Sequence, residues 1–259
     1  MDGIIIVARL ESERLPQKHL KHILGIPLIQ WLINRLEHGF PEEIKNNKVR
    51  IIIATPDTEA NNGFNFLADI TSATIFKGDE KNIPLRVMQC CSSFNIENAV
   101  VVDGDNFLVS MEAIKAVMNK LSQNYQLVKT TGLPLGMNVT GWKAQFLKLV
   151  LDTAKKHQLL ESGWGRIFCD YDFEKIEFPY SNLPFFAELR FTTDYPDDLQ
   201  FVTRMIEYLN KNVITATTEE LIKVAVENKF YLLNSHLCER YWDNFYKKIA
   251  EEKIINEEN

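Results

Sequence analysis

Apolar residues along this chain fall into two alternating patterns: short unbroken runs, and longer stretches repeating every three or four positions. Ile4-Ile5-Ile6-Val7 is β-branched and apolar throughout, the pattern of a central strand covered on both faces. Between Pro27 and Glu37, residues Leu28, Ile29, Leu32, Ile33 and Leu36 share one helical face, with proline near the start. The alternation continues with a strand over 49–54, closed by Thr55-Pro56-Asp57, and a helix over 59–69. A short strand over 73–76, a helix over 84–94 and a strand over 99–102 come next, the last stopping at Asp103-Gly104-Asp105. A helix over 111–121 and a strand over 125–129 follow. Strands and helices trading places this often predict right-handed βαβ units and a mostly parallel sheet, hence an α/β fold.

Beyond residue 130 the pattern is less regular. The loop from Thr130 to Asn138 carries Gly132, Pro134 and Gly136, and the aromatic stretch over 141–184 shows no legible strand order. Leu189 to Thr192 reads as a strand ending at Asp194. From Pro196 to Leu209 the spacing predicts a helix, with Asp197 and Asp198 favourable at its positive end. The C-terminal stretch reads as an amphipathic helix with an acidic end. No internal repeat or low-complexity segment divides the chain, so a single domain is expected over 1–259.

Composition narrows the function classes. The chain has 259 residues, 46% hydrophobic and 25% charged, enough to bury a core without covalent staples. No stretch approaches the roughly 18–20 apolar residues of a membrane span, and the N-terminus lacks the basic start and apolar run of a signal peptide. A cytoplasmic protein with no membrane partner is therefore expected. A formal net charge of −6 argues against a nucleic-acid partner. Cys90, Cys91, Cys169 and Cys238 have neither a disulfide framework nor a zinc-ligand spacing, and His19, His22, His38, His157 and His236 form no metal-site pattern. Yet Arg9, Arg14, Lys18 and Lys21 cluster, opposed only by Glu11 and Glu13. A local cationic excess in an acidic chain points to a small anionic ligand.

Three segments at the carboxyl ends of expected strands could carry chemistry, because open α/β sheets bind ligands there. The loop Ala8 to Lys18 offers the arginines and lysine that clamp phosphate oxygens. Asp103-Gly104-Asp105 offers hard oxygens to Mg²⁺, although Asp-Gly is also an ordinary turn. Asp194 closes the third segment, and could simply cap the helix that follows.

The run Ala8-Arg9-x-x-Ser12-x-Arg14-Leu15-Pro16-x-Lys18-x-Leu20 resembles the signature loop of the cytidylyltransferases, among them the CMP-Kdo and CMP-sialate synthetases and the spore-coat polysaccharide enzymes. The family pattern usually has Gly where Gln17 stands. Leu189-Arg190-Phe191-Thr192-Thr193-Asp194-Tyr195-Pro196-Asp197-Asp198-Leu199 is similar to a second family segment, and Gly104-Asp105 to a third. The resemblance covers about 4–205.

The resemblance implies the Rossmann-like, three-layer fold of nucleotide-diphospho-sugar transferases (GT-A-like), with a nucleotide half over about 1–130, an acceptor and dimerisation half over about 131–205, and C-terminal helices over about 206–259. It implies that CMP moves from CTP to a small anionic acceptor in surface polysaccharide synthesis, with Mg²⁺ held by Asp105 and Asp194 and with a homodimer as the assembly. Arg9 and Lys18 would contact the triphosphate and act with both aspartates in catalysis. Ala8, Ser12, Arg14, Gly78, Asp79 and Asp105 would complete the nucleotide site. On the acceptor side the chain departs from the family: Asn138 and Thr140 replace acidic residues, and the histidine expected near Ser162 to Arg166, around Gly163, is missing. The role of Asp103 is open. Two other readings stand beside this one: a glycosyltransferase that uses Asp103-Gly104-Asp105 on a nucleotide sugar, and a catalytically silent nucleotide-binding subunit.

Overall fold

The computed structural model describes residues 1–153 and 159–258. Its elements run, in chain order, β1 (Asp2–Val7), β2 (His22–Ile23), β3 (Ile26–Pro27), α1 (Leu28–Gly39), α2 (Pro41–Lys45), β4 (Val49–Pro56), α3 (Leu67–Ile70), β5 (Thr74–Gly78) and α4 (Ile83–Phe94). Then come β6 (Asn98–Asp103), α5 (Met111–Ser122), β7 (Leu127–Thr131), β8 (Thr140–Lys143), α6 (Ala144–Thr153), β9 (Glu174–Glu177), α7 (Pro196–Leu209), α8 (Thr218–Glu227) and α9 (Leu237–Glu258).

Among the described residues, seven strands form one sheet in the order β5-β4-β1-β6-β8-β7-β9. Only β8 runs against its neighbours, β6 and β7. The uninterrupted aliphatic runs explain the parallel half. In β1, Ile4 and Ile6 pack with α1 and α5 on one face, while Ile5 and Val7 meet Val87 and Cys90 of α4 on the other. Such two-sided burial produces the three-layer arrangement expected from the sequence. Cys90 and Cys91 lie in that second layer as free thiols, and burial pushes the pKa of each upward, to about 12 for Cys91. No helix among the described residues is long and apolar enough to cross a membrane.

The sheet differs from its sequence reading in four places. The helix expected over 59–69 is a 3₁₀ turn, Ala60–Phe64, followed by the single turn α3. The strand expected over 125–129 is displaced to Leu127–Thr131. β8 is an inserted antiparallel strand, centred on Gly141 and fully buried Trp142; a side chain at Gly141 would meet Val117 Cγ1 of α5 at 2.5 Å. Leu189–Thr192 is extended, but apart from a bridge between Arg190 and Leu135 it joins no sheet. Its neighbourhood hydrogen-bonds to loops instead: Phe191 N–H donates to the Leu135 carbonyl and Thr193 N–H to that of Asp105. His157 lies outside the described residues.

One charged side chain stitches the helical layer. Arg35 of α1 is fully buried and donates to the carbonyls of Val109, Val213 and Ala216, tying α1 to the loop before α5 and to the turn before α8. Burial lowers its pKa to about 10, only partly offset by Glu112. Replacing Arg35 with Met removes the buried charge but leaves three carbonyls without a donor. Arg35→Met is therefore expected to lose about 2 kcal/mol or more of stability in urea unfolding. A midpoint equal to the parent's would show that these bonds contribute nothing net.

Candidate active site

The loop after β1 holds its shape through buried anchors and side-chain bonds. Leu10 and Leu15 are buried, Leu10 N–H donates to Asn61 Oδ1 at 2.9 Å, and Glu11 accepts from Thr58 and Asn61. Ser12 Oγ accepts from Leu15 N–H at 3.4 Å. Gln17 sits at φ 51°, in the left-handed region where a non-glycine residue is strained by roughly 1 kcal/mol or more. That turn sends Lys18 back beneath the loop.

Lys18 is buried, and its Nζ donates to Asp105 Oδ2 at 2.8 Å, to the Thr193 carbonyl at 2.7 Å and to Asp194 Oδ1 at 3.4 Å. Burial works against its charge, but Asp105 and Asp194 outweigh it and hold the pKa above the ordinary lysine value. Backbone bonds join the same segments: Gly104 N–H donates to the Val7 carbonyl, and Thr193 N–H to that of Asp105. Gly104 is required at this crossing, since a Cβ there would stand 2.7 Å from the Ala8 Cβ. Three of the four residues expected to act in catalysis, Lys18, Asp105 and Asp194, therefore meet.

Arg9 is exposed and pairs with Glu161 at 2.8 Å, across the cleft mouth. Arg14 Nη2 donates to Asp194 Oδ1 at 2.6 Å, and its guanidinium lies over the Tyr195 ring at 4.9 Å. Ala8, Arg9, Ser12, Arg14, Lys18, Asp105 and Asp194 all line one cleft of about 420 Å³, within the roughly 300–1,000 Å³ typical of small-ligand sites. Gly78 and Asp79 do not. Packing of Phe76, Arg86 and Gln89 surrounds Gly78, and Asp79 Oδ1 is occupied by the N–H groups of Lys81 and Asn82. The Asp79 carbonyl instead accepts from Arg86 Nε at 2.7 Å, and it is Arg86 that faces the cleft.

Several contributors were not assigned from sequence. Arg190 chelates Asp198 through Nε and Nη2, at 2.8 and 3.1 Å, and donates to Asp194 Oδ2 at 2.9 Å. Asp198 also accepts from the backbone N–H groups of Asp194 and Tyr195, so it caps α7 and fixes Asp194 together. Asp103 accepts from Trp164 Nε1 at 3.1 Å; burial and the nearby Asp105 push its pKa up to about 7. α9 supplies Tyr241, Asn244, Phe245 and Lys248 to the cleft wall, a set at helical spacing that the sequence carried as an amphipathic stripe.

The carboxylates fit a divalent cation. Each offers about four lone-pair positions. Asp105 spends one on Lys18 among the described residues, whereas Asp194 spends three on Arg14, Lys18 and Arg190. No cluster of three His, Cys, Asp or Glu side chains among the described residues forms a closed metal cage.

The chain matches the family model described as Cytidylyltransferase over residues 3–212. The 3-deoxy-manno-octulosonate cytidylyltransferase of Aliivibrio fischeri (strain MJ11) is 30% identical over 152 residues, 58% of this chain and 57% of that protein. The chain thus spans less than two thirds of that relative's length. The enzyme of the same name from Vesicomyosocius okutanii is 27% identical over 191 residues, 73% of this chain and 67% of that one. Among solved structures, a cytidylyltransferase from Leptospira borgpetersenii superposes with a TM-score of 0.76 at 16% identity, covering 90% of this chain and 96% of that one. CMP:2-keto-3-deoxy-manno-octonic acid synthetase, solved with CTP, gives 0.58 at 13% identity, covering 80% and 99%. At these identities the shared property is the fold.

His19, wedged edge-on between Phe64 and Phe107 beside Lys18, generates a pH prediction. Burial and the Lys18 charge lower its pKa to about 3, so the folded chain keeps it neutral while the unfolded chain protonates near pH 6.5. Its contribution is complete above that pH and is lost as pH falls toward 3. Asp103 works in the opposite sense, taking up a proton in the fold as pH falls through about 7. The His19 part is isolated by comparison with His19→Gln. Between pH 7 and 5.5 the parent should lose about 1 kcal/mol relative to that variant in urea unfolding. Parallel curves would show that His19 titrates normally.

Proposed function

The chain belongs to the cytidylyltransferase family, and from this we propose that it transfers CMP from CTP to a small acidic sugar or phosphorylated acceptor, with Mg²⁺ as cofactor. The observation that carries the reading is the convergence on Lys18 Nζ of Asp105, Asp194 and the Thr193 carbonyl, beneath a loop that presents Arg9 and Arg14 to the same cleft. The curated relatives' names supply a sugar-acid acceptor for those proteins; here that class is an inference.

An acceptor oxygen attacks the α-phosphorus in line, the bond to the bridging oxygen breaks, and pyrophosphate leaves with the electron pair. The protein's task is positioning and charge neutralisation. Arg9, Arg14 and Lys18 bind the phosphates, and these cations offset the charge that grows on the departing pyrophosphate. Arg86 sits on the β5–α4 side, where its guanidinium is held to the Asp79 and Glu80 carbonyls and so is oriented before any ligand enters. Asp105, with Asp194, would hold the metal, which would supply further neutralisation of phosphate charge. Asp194 is kept in place by Arg190 and Asp198, which touch no cleft surface.

Pyrophosphate release from CTP and Mg²⁺ with a panel of sugar acids and phosphorylated acceptors tests the reaction. Consumption of a nucleotide sugar instead would favour a glycosyltransferase, and silence with every acceptor a binding subunit. Asp105 is partly exposed and Asn keeps an oxygen for Lys18, so Asp105→Asn should fold with reduced stability yet lower kcat at least about 100-fold. CTP affinity measured without Mg²⁺ should stay unchanged or tighten, because a negative charge has gone. Near-parental turnover in this variant would remove Asp105 from the metal site.

A further inference from the structure

We infer that α9, which lies beyond the family-matched residues, forms the acceptor wall of this site, and that Lys248 binds the acceptor's anionic group. The inference rests on the proposed transfer reaction.

Cations in the cleft are unevenly distributed. Arg9, Arg14 and Lys18 belong to the phosphate loop, and Arg86 to the β5–α4 side. The opposite wall is built mostly from neutral groups, among them Asn138, Trp164, Asn244 and Phe245, and its carboxylate, Glu161, is held by Arg9. Lys248 is the one cation that wall contributes among the described residues, and it forms no ion pair with any of them. An acidic acceptor needs a positive partner that the triphosphate does not already occupy. Lys248 meets that need, and the rings of Phe245 and Trp164 can cover a carbon skeleton beside it.

The helix is fixed where this role requires it. At its start, Asn244 Nδ2 donates to the Tyr195 hydroxyl at 2.9 Å, the same oxygen that accepts from Arg14 at 3.2 Å. Tyr241 lies under the Arg190 guanidinium at 4.5 Å. Two turns on, buried Glu252 accepts from Ser162 N–H at 2.7 Å and pairs with Arg166, and Asn256 bonds both the N–H and the carbonyl of Leu159. Gly163, at φ 56°, lets the helix approach, since a Cβ there would stand 2.8 Å from Ile249 and 3.0 Å from Phe245. Lys248 therefore stands one turn, about 6 Å along the axis, from each anchored position. The neighbouring segment carries Glu161, which holds Arg9. α9 thus closes the acceptor side of the cleft against the nucleotide side within one chain.

The test is steady-state pyrophosphate release by the full chain with CTP, Mg²⁺ and sugar carboxylates, sugar phosphates, phosphonates and matched neutral sugars. Lys248→Gln should raise the acceptor KM about tenfold or more and leave the CTP KM within twofold. Lys248→Arg should recover most of the loss. Lys247→Gln, at an exposed lysine that does not line the cleft, should move neither constant. Whether carboxylates or phosphoryl compounds are turned over by the parent identifies the anion. An unmoved acceptor KM overturns the inference alone. So does an equal rise in the CTP KM, which would give Lys248 to the triphosphate, or efficient use of the neutral sugars. No pyrophosphate from the parent with any acceptor overturns the proposed reaction, and this inference falls with it.

Discussion

The site depends on one buried ammonium group. Removing a lysine charge from water costs several kcal/mol, and the fold accepts that cost only because Lys18 Nζ finds two carboxylates and a carbonyl at the same point. The ammonium and its partners come from three separate parts of the chain: the loop after β1, the turn after β6 and the extended segment before α7. Each could adopt other conformations alone. The ammonium selects the one in which all three carboxyl-end segments face the same cleft, and the Gly104–Val7 and Thr193–Asp105 backbone bonds then close around it. Loop cations already paired with carboxylates also have a consequence for ligand entry. Under the proposed reaction, phosphate oxygens would compete with Asp105, Asp194 and Glu161 for Arg9, Arg14 and Lys18.

Asp194 shows how far the supporting structure reaches. Its oxygens are shared among three cations, yet only Arg14 and Lys18 belong to the phosphate loop; Arg190 is held from behind by Asp198. Asp198 in turn accepts from Asn234 and from the N–H groups of Asp194 and Tyr195, just before α7. One buried carboxylate therefore serves as helix cap, as counter-ion to Arg190 and as the brace that orients Asp194. Removing it would leave Arg190 buried without its bidentate partner, a more damaging change than losing any exposed pair in the chain.

Most of the parallel sheet was legible because uninterrupted β-branched runs such as Ile4 to Val7 and Ile51 to Ile53 leave little choice but two-sided burial. The phosphate loop was legible for another reason: its charges are adjacent in sequence. What failed was whatever depends on partners distant in the chain. The 189–192 segment has strand-like residues, but its N–H groups are claimed by loops, so propensity misled. The 59–69 pattern has helical spacing, but a tight 3₁₀ turn through Gly63 is imposed where a Cβ would meet Leu10 at 2.6 Å. β8 was hidden because its core position is one tryptophan between a glycine and a lysine. Arg35 and Arg190 look like surface residues in sequence, and nothing local reveals that their donors are spent on buried carbonyls and carboxylates.

The two halves of the cleft differ in readability for a physical reason. Binding a triphosphate demands several charges at close range, and charge clusters stand out in any acidic chain. An acceptor wall needs shape and neutral donors, which look like ordinary packing residues until the fold assembles them. α9 is the extreme case. Tyr241, Asn244, Phe245 and Lys248 occupy one face of a helix whose opposite face carries exposed Trp242 and Tyr246, so its sequence advertises amphipathicity and nothing more. Only the contacts of Asn244 with Tyr195 and of Glu252 with Ser162 reveal which face is inward. The two sides meet through side-chain contacts that include the Tyr195 hydroxyl, the Arg9–Glu161 pair, the Trp164–Asp103 bond and Tyr241 beneath Arg190, so specificity on such an element can change without altering the phosphate loop. A common transfer chemistry can then be kept while the acceptor wall is rebuilt from another part of the chain.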